Sequence, residues 1–470
     1  MTTDADAPHR MWSSAKKRRL GATVVFIGLV VAAVGSLGAP LITSVAEQYG
    51  VSLAAAQWTL TIALLSGAVA TPVVSRLGSG PRRRESVVGT LAVVVVGSCL
   101  TVVPGPFALL LVGRGAQGVG LGLPALMMAT ARDHLDSRHA TRTIALLSVA
   151  STAGIGVGYP LAGLLTDMSG IRAAYGLGLV VTAAALLSAV LVLPSERARP
   201  AVSVDLRGAT VLALGLLILL TVISQTTLWH RSAAFAVTAL VISLAVLSAW
   251  AVLELRTANP VVDVRLLRHP AVAAANAAML VGGVGMYLLL SLITRFVQTP
   301  STAGYGFGLS TFEAGLVLVP FSIMGFVAGK LVPLLRGRVG ARRVLAVSTV
   351  AILVAFVLFV SARQQLLGAV LAMAVLGAGV GAFSAAMPSV ILSVTPEAET
   401  ASAMGVNQVV RSIGFSIGSA VGGLVLAAHT SGTFPRPSGY TSAAWVGMAT
   451  TAASLLAIAC LSGARSRTVG

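Results

Sequence analysis

Long apolar stretches alternate with short polar loops along almost the whole chain. Each apolar stretch holds roughly 20 residues, the length that an α-helix needs to cross the hydrocarbon core of a membrane. Fourteen such stretches fit between residues 21 and 462, and the loops between them are too short to form a soluble domain. The pattern predicts an all-α integral membrane protein with fourteen transmembrane helices.

Two pairs of segments repeat each other at one fixed offset of 260 residues. The first pair shares arginine and glycine in basic loops: Arg76, Gly80, Arg82 and Arg83, repeated as Arg336, Gly340, Arg342 and Arg343. The second pair shares glycines within apolar stretches: Gly154, Gly158 and Gly163, repeated as Gly414, Gly418 and Gly423. Such a repeat predicts two related membrane halves with a site between them, which is the usual architecture of secondary transporters.

Composition supports a membrane protein, because 56% of the residues are hydrophobic and only 10% are charged. The net charge of +18 would suggest nucleic-acid binding in a soluble chain. Here, however, 24 of the 32 Lys and Arg residues fall in loops and tails on one side of the predicted topology, five fall on the other side and three within helices. The positive-inside rule then places both termini in the cytoplasm, and we expect no nucleic-acid partner.

Residues for metal, cofactor or enzyme chemistry do not converge in the pattern. Cys99 and Cys460 have no Cys or His at metal-ligand spacing, and all six histidines fall in tails, loops or helix ends. A phosphate-loop-like segment at 325–331 has Leu331 where Ser or Thr is needed and lies within an apolar stretch. We therefore expect no metal, no cofactor, no enzymatic activity and no ATP-driven pump.

Several short motifs occur in a characteristic order: AQWTL at 56–60, the R-x-x-Q-G of Arg114, Gln117 and Gly118, VDLRGA at 204–209, ELRTANPVVDVRLLR at 254–268 and EAGLVLVP at 313–320. In this order they resemble the fourteen-helix drug:proton antiporter branch of the major facilitator superfamily. The resemblance implies multidrug or secondary-metabolite efflux by alternating access, driven by proton entry, with a role in antibiotic resistance.

The resemblance also implies a division of the chain into two six-helix bundles with two inserted helices. The expected parts are a cytoplasmic tail at 1–20, an N-terminal bundle at 21–193, a linker at 194–207, the inserted helices at 208–253, a second linker at 254–270, a C-terminal bundle at 271–462 and a cytoplasmic tail at 463–470.

The chain departs from the family in its acidic residues. The family's loop between the second and third helices carries an Asp that latches one conformation, whereas this chain has Ser75, Arg76 and Leu77 there. No acid replaces that Asp, so a latch needs other contacts. In addition, none of the fourteen acidic residues lies near the middle of a predicted span.

Charged and polar residues within the predicted spans are candidates for a substrate cavity, because such groups are costly in the hydrocarbon core. The candidates are Arg114, Gln117, Asn276, Asn407, Gln408 and Arg411. For both arginines and for Asn276, helix-to-helix bonding without a substrate role is the alternative. A cavity with Arg411 and no carboxylate predicts neutral or anionic substrates rather than lipophilic cations.

Candidates for proton coupling are Glu313 and Asp167, near the predicted extracellular ends of helices, and Arg114, which matches a coupling motif of the family. Solvated helix-end acids are the alternative for the first two. Candidates for conformational change are Arg76, Gly80, Arg82, Arg83 and the glycine-rich positions Gly154, Gly158, Pro160, Gly163, Gly414 and Gly418. These glycines let helices approach closely, which suits a seam between two moving halves.

The expected partners are a small-molecule substrate, protons and the lipid bilayer, and the expected state is a monomer. Arg-rich, Ala- and Gly-rich usage indicates a bacterium and hence a multi-pass protein of its plasma membrane. Two alternatives remain open: an importer or uniporter of a small organic anion on the same fold, and a non-transporting membrane sensor.

Overall fold

A computed structural model describes the chain at residues 13–37, 41–51, 53–56, 58–195, 205–224, 228–229, 232–258, 260, 264–430 and 434–460. The predicted C-terminal tail, residues 1–12 of the predicted N-terminal tail and much of the first linker lie outside these residues. The first helix begins at Ser14, within the predicted N-terminal tail. Within them the secondary structure is helical, apart from one isolated antiparallel bridge between Thr430 and Pro435.

The long helices follow the predicted stretches in order, so α1 to α14 are numbered to match them. In the N-terminal part they are α1 Ser14–Ser36, α2 Trp58–Leu77, α3 Arg83–Val102, α4 Phe107–His134, α5 Ser137–Ser169 and α6 Ile171–Val192. Two helices follow, α7 Leu206–Ser224 and α8 Ala233–Arg256. The C-terminal part holds α9 Pro270–Gln298, α10 Thr311–Val339, α11 Ala341–Ala362, α12 Leu366–Leu392, α13 Thr400–Ala428 and α14 Pro437–Cys460.

Smaller elements complete the described chain. Short α-helices at Ile42–Tyr49 and Leu53–Ala56 connect α1 to α2. Within α4, the segments Phe107–Val119 and Leu123–His134 are joined by a 3₁₀ turn at Gly120–Gly122. Further 3₁₀ turns lie at Val264–Arg268, Ser301–Ala303 and Glu397–Glu399.

Twelve of the described helices are long and apolar enough to cross a membrane. The helices α5 and α7 occupy the places of the fifth and seventh predicted spans but are not among the twelve. In α7 the apolar stretch, Arg207–Ile223, is shorter than in the others. The all-helical membrane fold is therefore confirmed, and the count of fourteen spans stays a prediction.

The repeat in the sequence corresponds to equivalent packing in the two parts of the molecule. Gly154 of α5 lies against the backbone of α1, with its ideal Cβ position 2.8 Å from the nitrogen of Ala33. Gly414 and Gly418 of α13 lie in the same way against α9, where their ideal Cβ positions are 2.5 Å and 2.3 Å from main-chain oxygens. Each of these three glycines therefore allows a close contact between helices of its own half, and none of them forms the seam between the halves.

The seam between the halves runs along α5 and α10. Gly163 of α5 meets Phe312 of α10 with an ideal Cβ to Cα distance of 2.9 Å, and Gly315 of α10 meets Pro160 at a similar distance. Pro160 lies inside α5, where the helix continues through it. Of the predicted seam positions, Gly163 and Pro160 thus form contacts between the two halves.

The two inserted helices pack on the outside of a second seam, which α2 and α13 form. Leu212 and Leu216 of α7 are buried against Leu65 and Ala68 of α2, and partly buried residues of α13 complete this cluster. Exposed apolar side chains cover much of α8, as expected for a surface in contact with lipid. The inserted pair therefore covers one seam without separating the two halves.

Candidate functional site

Both halves contribute to a cavity that lies between them. Its empty space, part of which is open to solvent, amounts to about 310 Å³. Its lining comes from α4, α5, α9, α12 and α13: Ala125, Met128, Ser148, Met279, Ser384, Pro388, Met404, Asn407, Gln408 and Arg411. Because the first three belong to the N-terminal half and the others to the C-terminal half, relative movement of the halves would change its shape.

Arg411 supplies the positive charge of this cavity. Its side chain is half-buried, and its guanidinium carbon lies 5.8 Å from the centre of the Phe415 ring, one helical turn further along α13. Phe415 in turn stacks on Tyr287 of α9, with 5.3 Å between ring centres and an angle of 29° between their planes. The aromatic pair favours a cation above the Phe415 ring and so restricts where the guanidinium lies.

Asn407, Gln408 and Asn276 lie on or just behind the same wall. Asn407 and Gln408 line the cavity. The Asn407 amide donates a hydrogen bond of 3.1 Å to Oδ1 of Asn276, and the Asn276 amide donates 2.9 Å to the carbonyl of Val272. Asn276 therefore joins α9 to α13, as the helix-bonding alternative anticipates, and supports a lining residue.

Arg114 lies elsewhere, in a buried network of the N-terminal half. Its guanidinium donates to the carbonyls of Thr59, Val34 and Gly35 at 3.0, 2.9 and 3.2 Å, and to Oε1 of Gln117 at 2.6 Å. The side chain of Arg114 is completely buried. Since α1 ends at Ser36, the arginine also meets the negative end of the α1 dipole.

Gln117 extends this network to α3. Its amide donates to the hydroxyl of Ser98 at 3.0 Å and to that of Thr101 at 3.4 Å. Together Arg114 and Gln117 join α1, α2, α3 and α4. The six predicted cavity residues are thus divided: three line the cavity, Asn276 supports them, and Arg114 and Gln117 hold one half together.

Interactions between the halves are concentrated at one end of the helices. This end, called the tail side here, holds Leu77, His134 and Leu392 at helix ends and Ser137 and Thr400 at helix starts. It is the side predicted to be cytoplasmic. The opposite end is called the far side.

Arg132, near the end of α4, makes three bonds across the tail side. It donates to Oγ1 of Thr400 at 2.8 Å and to the carbonyls of Leu392 and Thr395 at 3.3 and 3.2 Å. The two carbonyls lie at and just beyond the carboxyl end of α12, where a positive charge is favoured. Arg132 therefore fastens the N-terminal half to the C-terminal half.

A second contact on the tail side involves the basic loop between α2 and α3. Arg76 lies 3.8 Å from a carboxylate oxygen of Glu399, just ahead of α13. Arg83 forms an ion pair with Asp133 and donates 2.8 Å to the carbonyl of Gly78, which fixes the loop to α4. The bonds of Arg132 and the Arg76–Glu399 pair are called the latch here. These contacts join the two halves beside the loop in which the family's Asp is absent.

The other members of the predicted basic motif are placed differently. Gly80 is buried, whereas Arg82 is exposed and lies 3.8 Å from the Glu85 carboxylate. In the repeat, Gly340 has a positive φ of 84° in the sharp turn between α10 and α11, which favours glycine there. Of this motif, Arg76 therefore reaches the other half, whereas Arg83 pairs with Asp133 within its own half.

Glu313 and Asp167 both lie on the far side and are exposed. Glu313 takes part in a capping box at the start of α10, accepting 2.8 Å from the Ser310 amide while its own amide donates 3.2 Å to the Ser310 hydroxyl. Asp167 lies one turn beyond Gly163 on α5, on the helix face that contacts α10. Glu313 thus has a structural role, and Asp167 lies near the seam.

The sequence patterns did not indicate several residues of the site. Met128, Met279 and Met404 are apolar residues in apolar helices and carry no pattern of their own. Arg132 binds carbonyls and a hydroxyl, so no opposite charge marks its partners. One signal was present: Leu392 is the repeat counterpart of Arg132 at the offset of 260, so related helix ends meet at the latch.

Two related helical halves, a cavity between them and contacts that join the halves on one side are typical of a membrane transporter. The chain belongs to the Major Facilitator Superfamily, whose family model matches residues 24–419 and, in a second overlapping match, 286–468. The second match begins within the C-terminal half, as expected for a repeated unit. The members of this family are transporters and not enzymes.

Relatives of known name agree with this family. The chain is 26% identical to the uncharacterized MFS-type transporter Rv1877 of Mycobacterium tuberculosis across 90% of its length, but it spans only 63% of that protein. It is 27% identical to the multidrug resistance protein Stp of the same organism, covering 75% of this chain and 65% of Stp. It is also 27% identical to the cephamycin export protein CmcT of Amycolatopsis lactamdurans, covering 86% and 84%.

The fold agrees with a solved structure of the family. The human organic anion transporter MFSD10 (TETRAN) superposes with a TM-score of 0.64 over 95% of this chain and 99% of that one. The sequence identity is 16%, so this similarity concerns the fold alone.

Proposed function

We propose that the protein exports small amphipathic molecules from a bacterial cell by alternating access, in exchange for protons. The observation that carries this proposal is a cavity that both halves line, with the latch joining the halves on the tail side. A cavity shared by two bodies changes its access when they rock against each other. The names of Stp and CmcT, a multidrug resistance protein and an export protein, support efflux.

The proposal includes the finer assignment to the fourteen-helix drug:proton antiporter branch. It takes α5 and α7 as the fifth and seventh spans, places both termini in the cytoplasm and treats the protein as a monomer. With this orientation the latch joins the two halves on the cytoplasmic side.

The methionines of the cavity suit a transporter that accepts more than one compound. Met128 comes from the N-terminal half, and Met279 and Met404 come from the C-terminal half. Methionine side chains are flexible and polarizable, so they adapt to apolar bodies of different shape. This property favours multidrug efflux over a site for one small polar nutrient.

The transport proposal is tested with the purified full-length protein in liposomes that contain a pH-sensitive dye. We expect amphipathic compounds to provoke proton movement under an imposed pH gradient, and we expect a proton ionophore to abolish the gradient-driven accumulation of those compounds. Substrate exchange without any proton movement would identify a uniporter or exchanger. Absence of both would contradict transport and favour the sensor alternative.

We predict that Asp167→Asn abolishes proton-driven export while exchange of substrate across the membrane continues. The reason is that Asp167 lies beside the seam on the proposed outer side, where opening of the halves changes the solvation of a carboxylate. The measurement compares export under a pH gradient with exchange at equal pH.

Glu313→Gln is the matched control for this prediction. Glutamine can keep the capping box at the start of α10 but cannot titrate. We expect its proton-driven export to equal that of the unmodified protein. Loss of proton coupling in Glu313→Gln, with Asp167→Asn unaffected, would move the proton-carrying role to Glu313.

A further inference from the structure

We propose that the transported molecule is an organic anion whose charged group binds Arg411 and Gln408 and whose apolar body packs against the methionines of the cavity. The inference rests on the proposed transport function, because it assigns the substrate class of the same cavity. It goes beyond that function by naming the charge of the substrate and the residues that select it.

Arg411 and Gln408 bring hydrogen-bond donors to the cavity. Arg411 and Gln408 are three residues apart on α13, so they lie on the same helix face, and both line the cavity. A guanidinium offers only donors, and the amide of Gln408 adds another. Two donor-bearing side chains that line one cavity suit a carboxylate or a similar oxyanion, which offers only acceptors.

No acidic residue accompanies Arg411 in the described lining of the cavity. The acidic residues nearest the tail side of the cavity have partners, since Glu399 pairs with Arg76 and Asp133 with Arg83. The cavity therefore presents a positive charge in a setting of low polarity, which attracts an anion and repels a cation.

An aromatic pair restricts the position of the Arg411 guanidinium. Its contact with Phe415, and the stacking of Phe415 on Tyr287, restrict it from one side. An arginine that only snorkels to the membrane surface would not need such a platform inside the protein. Met128 of the N-terminal half lines the same cavity, and Met279 and Met404 of the C-terminal half add to its apolar lining.

Binding to the purified full-length protein in detergent tests the inference independently of transport. The probes are two aromatic frameworks, naphthalene and biphenyl, each as the carboxylate, the neutral carboxamide and the aminomethyl cation. Dissociation constants come from titration calorimetry at neutral pH. We expect each carboxylate to bind about 10- to 100-fold more tightly than its carboxamide, the range of a hydrogen bond to a charged group, and we expect the cations to bind more weakly still.

Three variants show whether Arg411 causes this preference. Arg411→Gln should abolish the difference between carboxylate and carboxamide, and Arg411→Lys should retain part of it because the charge remains. Lys330→Gln is the matched control, since Lys330 is an exposed cation of the same half, 4.6 Å from the centre of the Phe326 ring and outside the cavity lining. This control should bind like the unmodified protein.

Several results would overturn the inference: cations that bind as tightly as the carboxylates, a preference that persists in Arg411→Gln, or no binding of either carboxylate. Failure of the transport proposal would look different. Arg411-dependent binding of the carboxylates without flux in liposomes would contradict transport and leave the anion site standing. Proton-linked flux of the amines, unchanged in Arg411→Gln, would support transport and refute the anion site.

Discussion

Oxidation of a variant that carries Ser75→Cys and Gly405→Cys should stop transport, and reduction should restore it. Ser75 lies on α2 and Gly405 on α13, so a disulfide between them would join the two halves on the tail side. An ideal Cβ at Gly405 lies 3.3 Å from the Cβ of Ser75, close to the spacing of about 3.5–4.5 Å found in disulfides. A locked tail side cannot open to load substrate, so alternating access would cease.

The local surroundings favour this cross-link. The Ser75 hydroxyl is buried and makes no hydrogen bond among the described residues, so its replacement removes no bond. The closest atom to the ideal Cβ of Gly405 is that same hydroxyl oxygen, at 2.9 Å, which the substitution removes. Cys99 and Cys460 are first replaced by alanine, so that only the new pair can be oxidised.

A second cysteine pair controls for oxidation itself. Gly282→Cys on α9 and Ser454→Cys on α14 lie within the C-terminal half, with an ideal Cβ to Cβ distance of 3.5 Å. This cross-link should leave transport nearly unchanged, because each half moves as a body. Transport that persists in the fully cross-linked Ser75 and Gly405 variant, as judged by mass spectrometry, would refute movement at this seam.

Helix positions could be predicted because membrane thickness fixes the length of the apolar stretches. The eleventh span illustrates this: its predicted centre lies near Ile352, and the observed helix is Ala341–Ala362. The same rule says nothing about which face of a helix meets another half. The glycine pattern therefore identified close helix contacts at Gly154 and Gly414 without showing that both contacts lie within a half.

The candidate site was only partly predictable for a related reason. Arg114 and Arg411 are both arginines within apolar helices, and hydropathy alone cannot tell whether either one lines a cavity or joins helices. The partners of Arg114 are carbonyls of α1 and α2, which every residue has and which leave no pattern in a sequence. Only the three-dimensional packing separates a buried joint between helices from a cavity wall.

The different surroundings of Arg114 and Arg411 predict different effects of substitution on stability. Arg114→Gln should lower the free energy of unfolding by about 3 kcal/mol or more, because three carbonyls lose a buried charged donor and each unsatisfied group costs about 1–3 kcal/mol. Arg411→Gln should destabilise the protein less than Arg114→Gln, because Arg411 is only half-buried and lines a cavity, whereas Arg114 is completely buried. Thermal unfolding in detergent and the yield of monodisperse protein measure the difference.

Arg114→Lys distinguishes a structural role from a role in coupling. Lysine keeps the positive charge but lacks the planar set of donors that reaches Gln117 and the carbonyls of α1 and α2. We therefore expect Arg114→Lys to be less stable than the unmodified protein and more stable than Arg114→Gln. If Arg114 acts only through its buried hydrogen bonds, the Arg114→Lys protein that folds should transport with an unchanged dependence on the pH gradient. A stable Arg114→Lys protein that exchanges substrate but no longer responds to a pH gradient would instead establish the coupling role that its sequence motif implies.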